Sequence, residues 1–221
     1  MSNTQQPDVK DSNDPRQCLL VAALRLFAEK GFVAATTREI CEAAGANISA
    51  IRYYFGDKAG LYRAVYSEPL IKMPARGNRQ RYANLPIAEA LELFFSDFLT
   101  PFKLGDDIGL VMKLHYREML EPTGAWQKEI ETEIKPQHEE LLSLLKQHLG
   151  VTEVDIDMQR LAFAIVGMGV HMFVGQDIVA AIAPQMLTTP EAVDILAKRL
   201  SGYALAMLNN EAQRRAEEGA V

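Results

Sequence analysis

The chain has 221 residues and a formal net charge of -6, with 48% hydrophobic and 24% charged residues. That length allows one large domain or two small ones, and that composition excludes disordered and collagen-like chains. Two cysteines, Cys18 and Cys41, without CxxC spacing exclude a disulfide scaffold and a zinc or thioredoxin-like site, and fit a reducing cytoplasm.

Residues 1–13 are polar and lack a basic start followed by an apolar run, so a disordered leader is expected there and secretion is not. Asp14-Pro15-Arg16-Gln17 combines a capping acid, a proline at the first helical position and a glutamine at N3, predicting a helix to residue 30. Leu19, Ala22, Ala23, Leu26 and Phe27 recur at three and four along it, and Gly31 predicts a left-handed stop. Thr36 and Glu39 form the two ends of a capping box that opens a short second helix, with Ile40, Cys41 and Ala44 inward and Gly45 as its end. Asn47 then caps a third helix, and Asp57 a fourth that runs from residue 58 to about 71.

A basic stretch, Arg76-Gly77-Asn78-Arg79-Gln80-Arg81, interrupts the apolar periodicity until Ile87. It sets the expected division: a first domain over 14–72, a linker over 73–86 and a second domain over 87–217. Helices are expected at 87–99, 107–120, 126–149 with a kink or break at Pro136, 157–182 and 191–216. No stretch alternates as a half-buried strand does, so the class is all-α. The apolar run at 161–175 is shorter than the ~20 residues that span a bilayer and contains His171, which reads as a buried helix.

Charge is unevenly placed. Residues 16–82 hold 11 basic against 5 acidic residues, whereas 83–221 hold 11 against 21. A basic first third points to an anionic partner for that part, with a chance distribution as the alternative. In the same third, two short helices joined by Gly45-Ala46-Asn47, with small Ala43 and Ala44 where the axes approach, form a helix-turn-helix candidate. A second helix two turns long with its N-terminus outward fits a major groove, and helix starts bind phosphates. A plain helical hairpin has the same spacing.

The ordered set Leu26-Phe27-Ala28-Glu29-Lys30-Gly31-Phe32, Thr36-Thr37-Arg38-Glu39-Ile40, Ala43-Ala44-Gly45 and Tyr53-Tyr54-Phe55-Gly56-Asp57-Lys58 with Leu61-Tyr62 resembles the TetR family of transcriptional regulators over residues 14–66. A later run, Arg117-Glu118-Met119-Leu120-Glu121-Pro122-Thr123, resembles a motif of one branch of that family. The resemblance implies a three-helix helix-turn-helix domain followed by a larger helical ligand-binding and dimerisation domain. It implies that 48–54 form the recognition helix, that Thr36, Thr37 and Arg38 touch the DNA backbone, and that Lys58 contacts a phosphate. Asn47, Ser49, Tyr53 and Tyr54 complete the expected DNA-binding set. Arg52 departs from the family pattern; its guanidinium either forks onto a guanine or clamps a phosphate. Ile48 and Ala50 are candidate thymine-methyl contacts, and Ile51 belongs to the core.

In the second domain the helix containing 161–174 has no polar face, so burial on both sides is expected, one of them against a second copy of the chain. The last helix carries a further apolar stripe, and the family's final two long helices form a dimer interface, which implies a roughly palindromic operator. The expected interface residues are Ile165, Gly169, Met172, Phe173, Leu196, Leu200, Tyr203 and Met207. Nine methionines and several aromatics provide adaptable walls for an apolar effector, with Phe95, Phe98, Met112, His115, Tyr116, Met119, Trp126, His171 and Met172 as the candidate ligand-binding set. Core packing is the competing account for each of them.

His115, His138, His148 and His171 are scattered without metal-ligand spacing, and HExxH, GxSxG, GxGxxG and P-loop motifs are absent, so neither an enzyme nor a bound metal or cofactor is expected. The expectation is a cytoplasmic, homodimeric, ligand-responsive DNA-binding regulator, most simply a repressor released from its operator by a small apolar or amphipathic effector. The alternative is a helix-turn-helix dimer used for protein interaction without DNA binding.

Overall fold

The structure, a computed structural model, describes residues 14–68, 82, 85–104, 106–124, 127 and 130–218. Among these residues regular structure is helical throughout. The chain divides into two compact units, one made of residues 1–73 and 106–126 and the other of 74–105 and 127–221.

The first unit contains α1 (Pro15–Ala34), α2 (Thr37–Ala44), α3 (Ser49–Phe55), α4 (Lys58–Ser67) and α6 (Asp106–Leu120). Asp14 caps α1 by accepting the Arg16 amide at 3.0 Å. The expected stop at Gly31 is a break with φ 80° and ψ 169°, a positive φ with extended ψ in place of the left-handed helical well, followed by one more helical turn. Leu19, Leu20, Ala23, Phe27, Ile40, Ile51 and Leu61 fill the core, and Leu114 of α6 closes it. Residues 106–126 group with the first unit, where α6 turns Leu110, Val111 and Leu114 into the α1–α4 core. The fourth helix, expected to run to about residue 71, ends at Ser67 with Glu68 extended at φ -88° and ψ 132°; residues 69–71 lie outside the described residues.

The second unit contains α5 (Ile87–Leu99), a 3-10 turn Thr100–Lys103, a π turn Ile130–Ile134, α7 (Lys135–Leu149), α8 (Ile156–Val174), α9 (Gln176–Ile182) and α10 (Pro190–Glu218). Leu91, Phe95, Leu141, Leu145, Met158, Ile165, Leu196 and Leu200 form its core, with α10 lying along α5. Two sequence expectations change. The helix expected over 157–182 is two helices meeting at 74°. The turn is at Gly175, where a Cβ would meet the His171 carbonyl oxygen at 2.9 Å and the His171 ring at 3.1 Å, so a larger residue would have to push the end of α8 aside. The kink or break expected at Pro136 is instead the π turn just before α7, leaving Pro136 in the first turn, where its missing N–H costs no helical bond.

Asp155 caps α8 through the Met158 amide at 2.9 Å and forms a bidentate pair with Arg215 at 2.7 and 2.8 Å, tying the start of α8 to the end of α10. Arg214 pairs with Asp157, Glu211 and Glu218 beside it.

Candidate nucleic-acid interface

The capping box forms as the sequence requires: the Glu39 amide donates to Thr36 Oγ1 at 3.2 Å, and the Thr36 amide and hydroxyl donate to Glu39 Oε2 at 3.0 and 2.8 Å. Lys30 adds a 2.7 Å ion pair to the other carboxylate oxygen. Together the lysine and the threonine hold the Glu39 carboxyl down at about 2. Gly45, at φ 62° and ψ 27°, ends α2 in the left-handed well.

Beyond it the Ala46 amide donates to the Cys41 carbonyl at 2.9 Å and the Cys41 thiol to the Asn47 carbonyl at 3.7 Å. The Asn47 side chain accepts both the amide and the hydroxyl of Ser49 at 3.0 Å, so Asn47 does cap the third helix, whose regular bonding starts at Ser49. A tight turn thus joins α2 to α3, with the Ser49 amide on the Asn47 side chain and the Ala50 amide on the Asn47 carbonyl at 2.9 Å.

On α3, Ile51 points into the core. At 100° per residue Ser49 and Tyr53 then lie on the opposite face, with Arg52 on one flank and Tyr54 on the other. Tyr53 is 82% exposed and Ile48 58%, unusually open for such large apolar bodies. The Tyr53 and Tyr54 rings meet edge to face at 4.8 Å, which stiffens the pair. Among the described residues Arg52 has no ion-pair partner, whereas Arg38 pairs with Glu42 at 2.8 Å. A shallow concave surface runs from Pro15 past Gly45, Ala46 and Asn47 to Arg52 and the two tyrosines.

Lys58, at the start of α4, lays its ammonium over the Phe32 ring at 4.7 Å and donates to the Val33 carbonyl at 3.2 Å. Asp57 caps that helix through the Gly60 amide at 2.6 Å. At the far end of the unit Arg16 forks onto Glu68 at 3.0 and 2.6 Å and stacks on Phe55 at 5.1 Å, tying α1, α3 and α4 together. Every residue of the predicted DNA-binding set therefore lies on the α2 start, the turn, α3 or the α4 start.

A model for bacterial regulatory proteins of the TetR family matches residues 19–65, and a model for the C-terminal domain of the HTH-type transcriptional dual regulator CecR matches residues 87–210. The HTH-type transcriptional dual regulator CecR of Shigella flexneri is 35% identical over 159 residues, covering 67% of this chain and 71% of the relative. The chain belongs to the TetR family.

Members of the TetR family are transcriptional regulators and not enzymes. The HTH-type transcriptional repressor AcnR of Corynebacterium glutamicum shares 43% identity over 58 residues, 26% of this chain and 31% of its own. The solved TetR-like transcriptional regulator from Rhodococcus sp. RHA1, 21% identical, superposes with a TM-score of 0.58 over 91% of this chain and 99% of its own, which shows the shared fold. No single described helix is long and apolar enough to cross a membrane.

The sequence-based effector set divides between the two units. Met112, His115, Tyr116 and Met119 are on α6 of the first, where the His115 Nδ1–H donates to the Val111 carbonyl at 2.8 Å and the ring stacks on Tyr66 at 4.5 Å. Phe95, Phe98, His171 and Met172 are in the second, with Phe95 fully buried in the core and His171 exposed. Trp126 lies outside the described residues. A connected run of rings does exist within the second unit: Phe94 to Phe98 at 5.9 Å, Phe98 to Phe173 at 5.9 Å, and Phe102 stacked on Phe173 at 4.2 Å.

The expected interface residues Ile165, Gly169, Leu196 and Leu200 are buried in their own unit, and Gly169 is pressed against the Phe98 ring. Met172, Phe173 and Met207 are half-buried and Tyr203 is exposed. Other apolar residues of the two helices face outward: Phe163, 67% exposed, and Val174 on α8, and Ile195, 62% exposed, on α10. Helical phase was the available signal, since these residues sit about half a turn from the buried ones.

Proposed function

We propose that this TetR-family chain is a cytoplasmic, homodimeric repressor that holds a palindromic operator and is released by a small apolar or amphipathic effector. The observation that carries the DNA reading is the α3 surface, where Ser49, Arg52, Tyr53 and Tyr54 project outward from a helix whose Ser49 amide is already taken by Asn47. The exposed stripes of Phe163, Val174, Ile195 and Tyr203 support a second copy as partner, because apolar ridges on two long helices gain most by packing against themselves about a two-fold axis. Two recognition helices related in that way enter successive major grooves about 34 Å apart.

The ring run of Phe94, Phe98, Phe102 and Phe173 supports an apolar or amphipathic effector in the second unit. In this reading the effector favours a conformer in which α4 has moved the reading heads apart. Reciprocity then requires operator to weaken effector binding by the same factor. The relatives bear both signs in their names, repressor for AcnR and dual regulator for CecR; repression is the simpler mode for a dimer that covers its operator.

The test is selection of random DNA duplexes by the purified protein at two salt concentrations. A palindromic consensus whose binding weakens with salt supports the reading. Folded, dimeric protein that enriches no duplex, alone or with a panel of apolar carboxylates and amines, refutes it and favours a protein-interaction module.

A further inference from the structure

We propose that Arg117 and Glu118, adjacent on α6, are positioning residues for the DNA-facing surface, and that they act by holding Lys58. This rests on the DNA-binding reading above. Neighbours on a helix point about 100° apart, so the pair can grip two different elements. Arg117 takes the α1 break: its Nη1 donates to the Glu29 carbonyl at 3.3 Å, and its guanidinium covers Gly31 so closely that a Cβ there would come within 2.6 Å of Nε.

Glu118 takes α4. Its carboxylate, only 1% exposed, accepts the Tyr62 hydroxyl at 2.7 Å, the Thr123 amide at 2.7 Å and the Thr123 hydroxyl at 3.0 Å. Burial, followed by the hydrogen bond to Glu118, pushes the Tyr62 phenol well above its ordinary range, so it remains a donor at any physiological pH.

The two grips converge. Tyr62 sets its ring edge-on against Phe32 at 5.1 Å, and Phe32 with Val33 follows directly on Gly31. Lys58 is one turn before Tyr62 on α4, and its two contacts are the Phe32 ring and the Val33 carbonyl. Both supports of that ammonium therefore belong to the segment that Arg117 fixes, while the helix carrying Lys58 is fixed through Glu118. A lysine stem is flexible, and holding its charge in place before a phosphate arrives lowers the ordering cost of binding. A buried carboxylate is a poor route to stability compared with apolar packing, but a fully hydrogen-bonded one fixes geometry.

The experiment uses the duplex selected by the wild-type protein and the variants Tyr62→Phe, which removes only the donor hydroxyl, and Arg117→Met, which keeps an apolar stem over Gly31. Affinity is measured against salt at a temperature where circular dichroism shows each variant folded. Each variant is expected to bind at least about threefold more weakly, and its log–log salt slope to become shallower by about 0.9 for each phosphate it no longer neutralises. Lys58→Met is expected to do the same, and adding Tyr62→Phe to it to change nothing more. A purely structural role lowers the melting temperature and leaves the slope alone. Folded variants with the wild-type slope, or effects that add to Lys58→Met, overturn the inference. A wild-type protein that selects no duplex removes the DNA-binding reading and this inference with it.

Discussion

Replacing Gly31 by alanine separates two costs that the structure places at one residue. The first is conformational: φ 80° with ψ 169° is a region essentially confined to glycine, where a side chain costs about 1 to 3 kcal/mol. The second is steric. The new Cβ would lie 2.6 Å from Arg117 Nε and 2.9 Å from Glu121 Oε2, so the guanidinium must leave the Glu29 carbonyl, giving up a charged hydrogen bond at a partly exposed site worth about 1 kcal/mol. The sum is a destabilisation of about 2 to 4 kcal/mol. Gly45→Ala is the internal reference: φ is also positive, at 62°, but nothing lies within 4 Å of a Cβ there. It should cost only the left-handed penalty, about 1 kcal/mol. Urea unfolding of both variants by circular dichroism, at matched protein concentration because the proposed dimer would add a concentration-dependent contribution, measures the difference. Gly31→Ala costing no more than Gly45→Ala would refute the close approach of Arg117.

Glu39 is held down at about 2 from an ordinary 4.5, so its interactions stabilise the folded chain fully above 4.5 and disappear as pH falls toward 2. Glu39→Gln should therefore flatten the acid limb of the stability curve between those values, and an unchanged limb in thermal melts speaks against the box and the Lys30 pair. Ile195→Glu, an exposed change on the outward stripe of α10, should leave helical content intact and shift the protein to monomer in light scattering; a persistent dimer places the interface elsewhere. Arg52→Ala should weaken duplex binding by about tenfold, since a guanidinium contact is worth about 1 to 3 kcal/mol. Uniform loss across duplexes with a shallower salt slope identifies a phosphate clamp, relaxed preference at one base pair identifies a base contact, and unchanged affinity removes Arg52 from the interface.

The features legible in the sequence are those settled within a few residues. Asp14, Thr36 and Asp57 each satisfy an amide two or three residues on, so their caps follow from spacing alone. The break at Gly175 was not legible, because the apolar periodicity resumes at Ile178 and Val179 after the polar Gln176 and Asp177, and the Gly175 amide still bonds the His171 carbonyl as in an unbroken helix. Direction changes without the period changing. The place of α6 was not legible for a different reason: Leu110, Val111 and Leu114 announce an apolar face but not which core receives it. The apolar stripes of α8 and α10 are visible in the periodicity, but which half of each faces outward depends on neighbours far along the chain. The sequence reading puts Ile165 and Leu196 at the interface, whereas Phe163 and Ile195 are the exposed pair. The effector set split for the same reason, since composition collects aromatic residues without saying which unit they join.

The Asn47 cap bears on the heat of any encounter at α3. Its side chain closes the first turn by taking the Ser49 amide and hydroxyl, and the capping box does the same for α2, so neither helix has to be completed by the surface it meets. Complexes that order a segment on binding bear a large entropic penalty and a strongly negative heat-capacity change; a head finished in advance shows only the smaller change that follows from covering Ile48, Ala50 and the rings of Tyr53 and Tyr54.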